Sequence, residues 1–121
     1  MEEKEKEDVC IFCKIIKGEI PGDKVYEDDN FMAIKDINPK LKGHTIIFPK
    51  KHFKTFLDVP NSLGNEMIEA VKKTTLKLMD EEKAEGFNIH VNGFEAGGQL
   101  GNHVHLHIFP RKKDDGFKTC V

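Results

Sequence analysis

The chain has 121 residues, 19 basic and 21 acidic side chains, a formal net charge of -2 and 38% hydrophobic residues. That length supports one core and excludes two stacked domains, and no apolar run approaches the roughly 18 residues a membrane span needs. The near-balanced charge argues against a general nucleic-acid binder, which needs a basic surplus to displace counterions.

Met1 to Asp8 is almost solid charge and reads as a solvated, disordered tail, leaving residues 9–121 as a single domain. The tail lacks the basic start and apolar stretch of a secretory signal, so the protein reads as cytoplasmic, with Cys10, Cys13 and Cys120 as reduced thiols. Ile11 to Lys17 is apolar at helical spacing, and Gly18 can close it as a left-handed cap. Pro21-Gly22 marks a turn. Lys24–Glu27 and Phe31–Lys35 predict a strand pair across Asp28-Asp29-Asn30. His44 to Phe48, stopped by Pro49, predicts a buried strand. Ser62 is placed to cap a long helix ending near Gly86, with Leu63, Met67, Val71, Thr74 and Leu78 in one stripe and Ile68, Thr75 and Met79 beside it. Phe87 to Asn92 alternates as a half-buried strand, Gly93 to Gly101 is a glycine-rich loop, and His103 to Phe109 alternates again. The order of elements predicts an α+β domain: an antiparallel sheet of about five strands, one long helix and a short N-terminal helix.

Three segments carry chemistry. On a strand, His103, His105 and His107 share one face at roughly 7 Å spacing, while Val104, Leu106 and Ile108 point to the core. Such a row is a polar outer face, a metal site, or imidazole chemistry on a small substrate with one histidine lent to a metal; the last fits the clustering best. The loop Glu95 to Gly101 precedes that strand. Its successive glycines let backbone N–H groups converge on an anion, although a strand follows where a dinucleotide fingerprint requires a helix. Cys10-x-x-Cys13 reads as a redox pair, half of a zinc site, or two unconnected thiols; zinc needs two further ligands, and His52 and His103 are available. Lys50-Lys51 and Arg111-Lys112-Lys113 read as solvated faces that can also steer an anion inward. His90 and Cys120 receive no role.

His103-Val104-His105-Leu106-His107-Ile108-Phe109 resembles the histidine triad motif of the HIT family. Gly97-Gly98-Gln99 is similar to that family's phosphate loop, Gly43 to His52 to its second signature and Ile11 to Pro21 to its N-terminal segment. The likeness runs from about Cys10 to Arg111 and is nearest to the histidine triad nucleotide-binding branch. The resemblance implies a homodimer that hydrolyses nucleoside 5'-monophosphoramidates of purine nucleosides through a nucleotidyl-histidine. Residue by residue, it implies His105 as nucleophile, with His107 and His44 on the phosphate or orienting His105. Phe12, Ile15, Ile20, Ile34 and Ile37 would wall the base pocket, Asp36 would hold the ribose hydroxyls, Asn92 would lie near sugar and phosphate, and Gly98 and Gln99 would line the phosphate loop. Structural zinc would be held by Cys10, Cys13, His52 and His103. Leu100 departs from the family, which often has a small hydroxyl residue there. The alternatives are a dinucleoside polyphosphate hydrolase and a zinc-stabilised nucleotide-binding interaction protein with vestigial activity. Nucleic acid and membrane are not expected partners.

Overall fold

The computed structural model describes residues 9–118; the charged tail and Cys120 lie outside them. Among the described residues, two α-helices and five strands follow in the order α1 (Ile11–Ile16), β1 (Lys24–Glu27), β2 (Phe31–Lys35), β3 (Thr45–Pro49), α2 (Gly64–Glu82), β4 (Gly86–Val91) and β5 (Leu106–Arg111). The strands form one sheet in the order β1-β2-β3-β5-β4, with every pairing antiparallel. β5 is thereby inserted between β3 and the edge strand β4, which brings the second-signature segment beside the histidine-bearing strand.

The β1–β2 hairpin forms where expected because its turn is local chemistry. Asp28 Oδ1 accepts from the backbone N–H groups of Asn30 and Phe31 at 2.8 and 2.7 Å. α1 starts at Cys10, whose Sγ accepts from the Cys13 N–H, and stops one residue early at Ile16, with Gly18 at φ +80° behind it.

Both sheet faces carry apolar clusters. Phe31, Ala33, Ile47 and Ile108 face α2 and bury Ala70 and Leu78 against them. Met32, Ile34, Ile46 and Phe48 point the other way and pack under Phe12, Cys13 and Ile15 of α1. Phe31, Phe48, Ile47, Leu78 and Ile108 are essentially inaccessible to water, and each contributes about 1.5–3 kcal/mol by leaving water.

Several boundaries differ from the sequence reading. Ser62 lies in a 3-10 turn (Asn61–Leu63) and caps nothing; α2 starts at Gly64 without a side-chain cap. α2 ends at Glu82, where Lys83 takes the left-handed conformation at φ 53°, so Gly86 opens β4 instead of closing the helix. On α2, Thr74, Thr75 and Leu78 are buried as expected, but Ile68 is exposed and Ala70 takes its place in the core. The triad strand also begins late. His103, Val104 and His105 precede β5, and Val104 N–H instead bonds the Phe53 carbonyl at 2.8 Å.

Gly43 fixes the entry to His44. Its φ is +90°, and a Cβ there would sit 2.7 Å from Glu82 Cγ and 2.8 Å from Pro110 Cγ. Only glycine permits this turn at that approach.

Candidate active site and metal centre

The backbone alternation continues through His103 and His105 into β5, so all three imidazoles lie on the α1 face. Phe12 of α1 stands over them, its ring centroid 5.4 Å from that of His103 and 4.8 Å from that of His105. His103 lies toward the cysteines, while His105 and His107 open onto a cleft.

On the cysteine side, Cys10 Sγ is 3.3 Å and Cys13 Sγ 3.6 Å from His103 Nδ1. Cys13 Sγ is 3.3 Å from His52 Nδ1, and the two Nδ1 atoms are 3.2 Å apart. Zinc bonds of about 2.0–2.1 Å to nitrogen and 2.3 Å to sulfur imply tetrahedron edges of roughly 3.3–3.8 Å, so these separations match the edges of a small tetrahedral site. His103 Nε2 donates to the Pro49 carbonyl at 2.7 Å. That bond places the proton on Nε2 and leaves the Nδ1 lone pair on the cluster. Burial outweighs this bond and pushes the His103 pKa down to about 4, so the ring is a neutral ligand at pH 7. Two thiols and two imidazoles converging on one point fit zinc by number, type and spacing.

The other histidines form a directed chain. The Lys40 backbone N–H donates to His44 Nδ1 at 3.2 Å, so the His44 proton is on Nε2. That Nε2–H donates to His107 Nδ1 at 2.9 Å, which leaves His107 with its proton on Nε2. His105 Nδ1–H donates to the His103 carbonyl at 2.9 Å, so its Nε2 carries a lone pair. A lone-pair imidazole and an N–H imidazole therefore stand side by side, ring centroids 5.0 Å apart. Burial, reinforced by the neighbouring imidazoles, lowers the His107 pKa to about 4; burial also lowers that of His44, against the pull of Asp36. Both rings are neutral near pH 7, so the 3.5 Å approach of Asp36 Oδ2 to His44 Nε2 is a polar contact and not an ion pair.

The cleft over this pair measures about 330 Å³ and is lined by Phe12, Ile15, Ile34 and Ile46, with Asp36, Ile37 and Leu100 also at its wall. That is an apolar slot with one carboxylate. Ile20 does not line it; it packs against the cluster of α1 and the sheet. Ile46 does line it, although the sequence reading named it only as part of a strand. Gln99 is nearby, but its side chain is committed to the fold: Oε1 accepts from Phe94 N–H at 2.8 Å and Nε2 donates to the Lys54 carbonyl at 2.6 Å. Its role is to pin the glycine loop, leaving backbone groups for any ligand. Gly98, at φ +85°, turns that loop so that its carbonyl accepts from Asn92 Nδ2 at 3.3 Å. Leu100 is 81% exposed at the cleft, so its departure from the family pattern falls where a bound molecule would touch it. Lys50 pairs with Glu27 at 2.8 Å, and Arg111 with Asp115 at 2.7 Å; these charges brace the fold and do not enter the cleft.

The sequence reading passed over His90. It lies opposite His107 in the β4–β5 register, with ring centroids 6.3 Å apart. The signal was present in the alternation of β4, but its meaning depends on the pairing with β5.

A five-stranded antiparallel sheet with one long helix on one face, and a histidine-bearing strand under a short helix on the other, defines a specific class of small α+β domain. The HIT domain family matches residues 17–114, and the chain belongs to that family. It is 47% identical over 108 residues to an uncharacterized HIT-like protein of Methanocaldococcus jannaschii, covering 89% of this chain and 83% of that protein. It is 42% identical to the adenylylsulfatase HINT3 of Arabidopsis thaliana (88% of this chain, 54% of that protein) and 38% identical to the adenosine 5'-monophosphoramidase HNT1 of Candida albicans (87% and 72%). Among solved structures, a HIT family protein of Bacillus subtilis superposes with a TM-score of 0.87 at 40% identity, covering 93% of this chain and 81% of that one. A Zn-bound histidine triad family protein of Mycobacterium smegmatis does so at 0.85 and 34%, with the same coverages.

Proposed function

We propose that the protein hydrolyses purine nucleoside 5'-monophosphoramidates through a covalent nucleotidyl-histidine. The observation that carries this reading is that His105, with its Nε2 lone pair, and His107, with its Nε2–H, line the apolar cleft next to each other. The base lies flat in the slot against Phe12 and Ile34, and Asp36 accepts from the ribose hydroxyls. His105 Nε2 attacks the α-phosphorus, forming an N–P bond as the P–N bond to the amine breaks. The amine nitrogen, protonated from solvent, leaves as the neutral amine with the electron pair of the broken bond, while His107 keeps its Nε2 proton and donates it as a hydrogen bond to the phosphate. Water then attacks the phosphorus, the His105 Nε2–P bond breaks with its electron pair returning to His105, and the water's proton passes to solvent, restoring both rings. The His44 bond holds the His107 tautomer throughout, and loop backbone N–H groups offset charge on the phosphate oxygens. Zinc on Cys10, Cys13, His52 and His103 supplies structural cross-linking only, because four protein donors leave no open position. The relatives named as an adenosine 5'-monophosphoramidase and an adenylylsulfatase support cleavage at an adenylyl phosphorus. Incubation with adenosine 5'-phosphoramidate and, separately, diadenosine tetraphosphate tests the reading. The expected kcat/KM is higher on the phosphoramidate; the reverse order assigns the dinucleoside polyphosphate, and no turnover of either leaves a nucleotide-binding protein.

The same reading includes a homodimer. β4 is a sheet edge, and Phe87, Ile89 and Val91 stand 48%, 44% and 40% exposed on its α2-facing side. Leu76 of α2 is 67% exposed. An apolar edge strand of this kind invites strand-to-strand pairing with a second copy. Light scattering at tens of micromolar is expected to give twice the chain mass of 13.8 kDa; a value near the single-chain mass contradicts the dimer. Among the described residues, no helix is long and apolar enough to cross a membrane.

A further inference from the structure

Phe94 holds a backbone conformation that its own side chain disfavours. Its φ is 59° and its ψ 170°, a region populated almost only by glycine because a Cβ there crowds the main chain. Lys83 is also at positive φ, but its ψ of 43° is the ordinary left-handed conformation of a helix end. Gly93, immediately before Phe94, does not turn left-handed. The strain therefore sits on the phenylalanine and not on the glycine beside it.

That conformation aims both main-chain polar groups of Phe94 into the glycine loop. Its N–H donates to Gln99 Oε1 at 2.8 Å, and its carbonyl accepts from the N–H groups of Gly97 and Gln99 at 3.1 and 2.9 Å. Gln99 Nε2 donates in turn to the Lys54 carbonyl at 2.6 Å, and Lys54 Nζ lies over the Phe94 ring, 5.6 Å from its centroid. Phe94 and Lys54 thus grip the buried Gln99 side chain from its two polar ends. The Phe94 ring itself is half exposed and does not line the cleft.

What the grip fixes lies one residue further on. Leu100 and Gly101 follow Gln99 and line the cleft. The N–H groups of Gly97, Gly98 and Gln99 are engaged by the carbonyls of Phe94 and Glu95. Those of Leu100 and Gly101 have no hydrogen-bond partner among the described residues, so they are the loop donors open to the cleft. The Leu100 side chain is largely exposed, so packing does little to fix its backbone. The bonds at Gln99 fix it instead. Donors stabilise charge on a phosphate best when they are held in place before it arrives.

We infer that Phe94 is a positioning residue: its glycine-like backbone, and not its ring, sets the Leu100 and Gly101 N–H groups toward the phosphate of a nucleotide in the cleft. The inference rests on the proposed hydrolase reading for the identity of that ligand. The Gln99 bonds and the Lys54 contact hold Phe94 in its strained state. A residue with a Cβ and no ring relaxes to negative φ and withdraws its N–H and carbonyl from Gln99. Glycine adopts the observed conformation without strain and keeps those bonds.

The test compares wild type, Phe94→Ala and Phe94→Gly. If the side chain acts by packing, glycine is the worse replacement, because it removes more and adds freedom to the unfolded chain. If the backbone acts by positioning, alanine is worse. The kcat/KM on adenosine 5'-phosphoramidate is expected to fall at least roughly tenfold in Phe94→Ala and to stay within about threefold of wild type in Phe94→Gly. Phe94→Gly is expected to melt about 4 °C or more above Phe94→Ala. Phosphate binding is read separately, in a His105→Ala background that prevents turnover, as the ratio of AMP to adenosine affinity. That ratio is expected to fall at least roughly fivefold on adding Phe94→Ala and to be kept on adding Phe94→Gly. Phe94→Gly losing as much rate and AMP preference as Phe94→Ala overturns the positioning role, and so does a Phe94→Ala variant that loses neither. The expected order in AMP preference, in a protein whose wild type does not turn over the phosphoramidate, keeps the role of Phe94 and removes the hydrolase reading. No preference for AMP over adenosine with Phe94 intact removes both.

Discussion

Replacing His105 by alanine is expected to slow phosphoramidate hydrolysis at least roughly 10³-fold while AMP binding persists. At about 1.4 kcal/mol per tenfold, that is a loss of about 4 kcal/mol of transition-state stabilisation. The expectation rests on which nitrogen is available. His105 Nδ1 is bonded to the His103 carbonyl and its Nε2 lone pair is uncommitted; His107 carries its proton on Nε2, and its Nδ1 already accepts from His44. His103 is turned to the cysteines, with Nε2 on Pro49. Neither His103 nor His107 can therefore present a lone pair to the same phosphorus without breaking a hydrogen bond. Binding persists because the apolar slot and Asp36 are untouched. Steady-state kinetics give the rate, calorimetry the AMP affinity, and mass spectrometry of acid-quenched wild type the nucleotidyl adduct at His105. Turnover within tenfold of wild type would falsify the nucleophile assignment.

The parts of this architecture that were legible in the sequence are those set by short-range chemistry. Asp28 caps its own hairpin turn, so β1 and β2 were readable to the residue. The two-residue period of His103, His105 and His107 put three rings on one face whether or not the strand was regular. What escaped depends on distant partners. β3 meets β5 only from Ile47↔Leu106 to Thr45↔Ile108, so His103–His105 has no strand on that side and β5 begins three residues late. Ser62 has the side chain of a cap, but the 3-10 turn after Pro60 occupies its position. Lys83 adopts a conformation more typical of glycine, so Gly86 misled as a helix stop. His90 gains meaning only from its pairing opposite His107. Ile20 was drawn into the base pocket by its motif position, whereas the turn after Gly18 carries it to the flank of the core.

Purified without chelator from cells supplied with zinc, the protein is expected to hold about one zinc per chain, and removing it is expected to lower the melting temperature by more than about 10 °C. The magnitude follows from what the site connects. Cys10 and Cys13 belong to the start of α1, His52 to the segment after β3, and His103 to the approach to β5. A metal there joins three segments distant in sequence, and structural zinc sites contribute folding free energy outright. For a domain of this size, 1 kcal/mol shifts the melting temperature by roughly 4–8 °C, so a few kcal/mol suffices. The zinc-free protein should also become acid-sensitive in a defined window. Folded His103 and His107 have pKa values of about 4, against 6.5 when unfolded. Between those values the unfolded chain binds protons that the folded one excludes. Stability is therefore intact above about pH 6.5, falls as the pH drops toward 4, and levels off below that. Cys13→Ser should reproduce the chelated state, because Cys13 approaches both His52 and His103. Metal content below about 0.2 per chain sinks the site. Activity that vanishes on chelation while the fold persists, and returns with zinc, assigns the metal to the chemistry. Activity that survives wherever the chain remains folded leaves His103 to the metal and His105 and His107 to the phosphate.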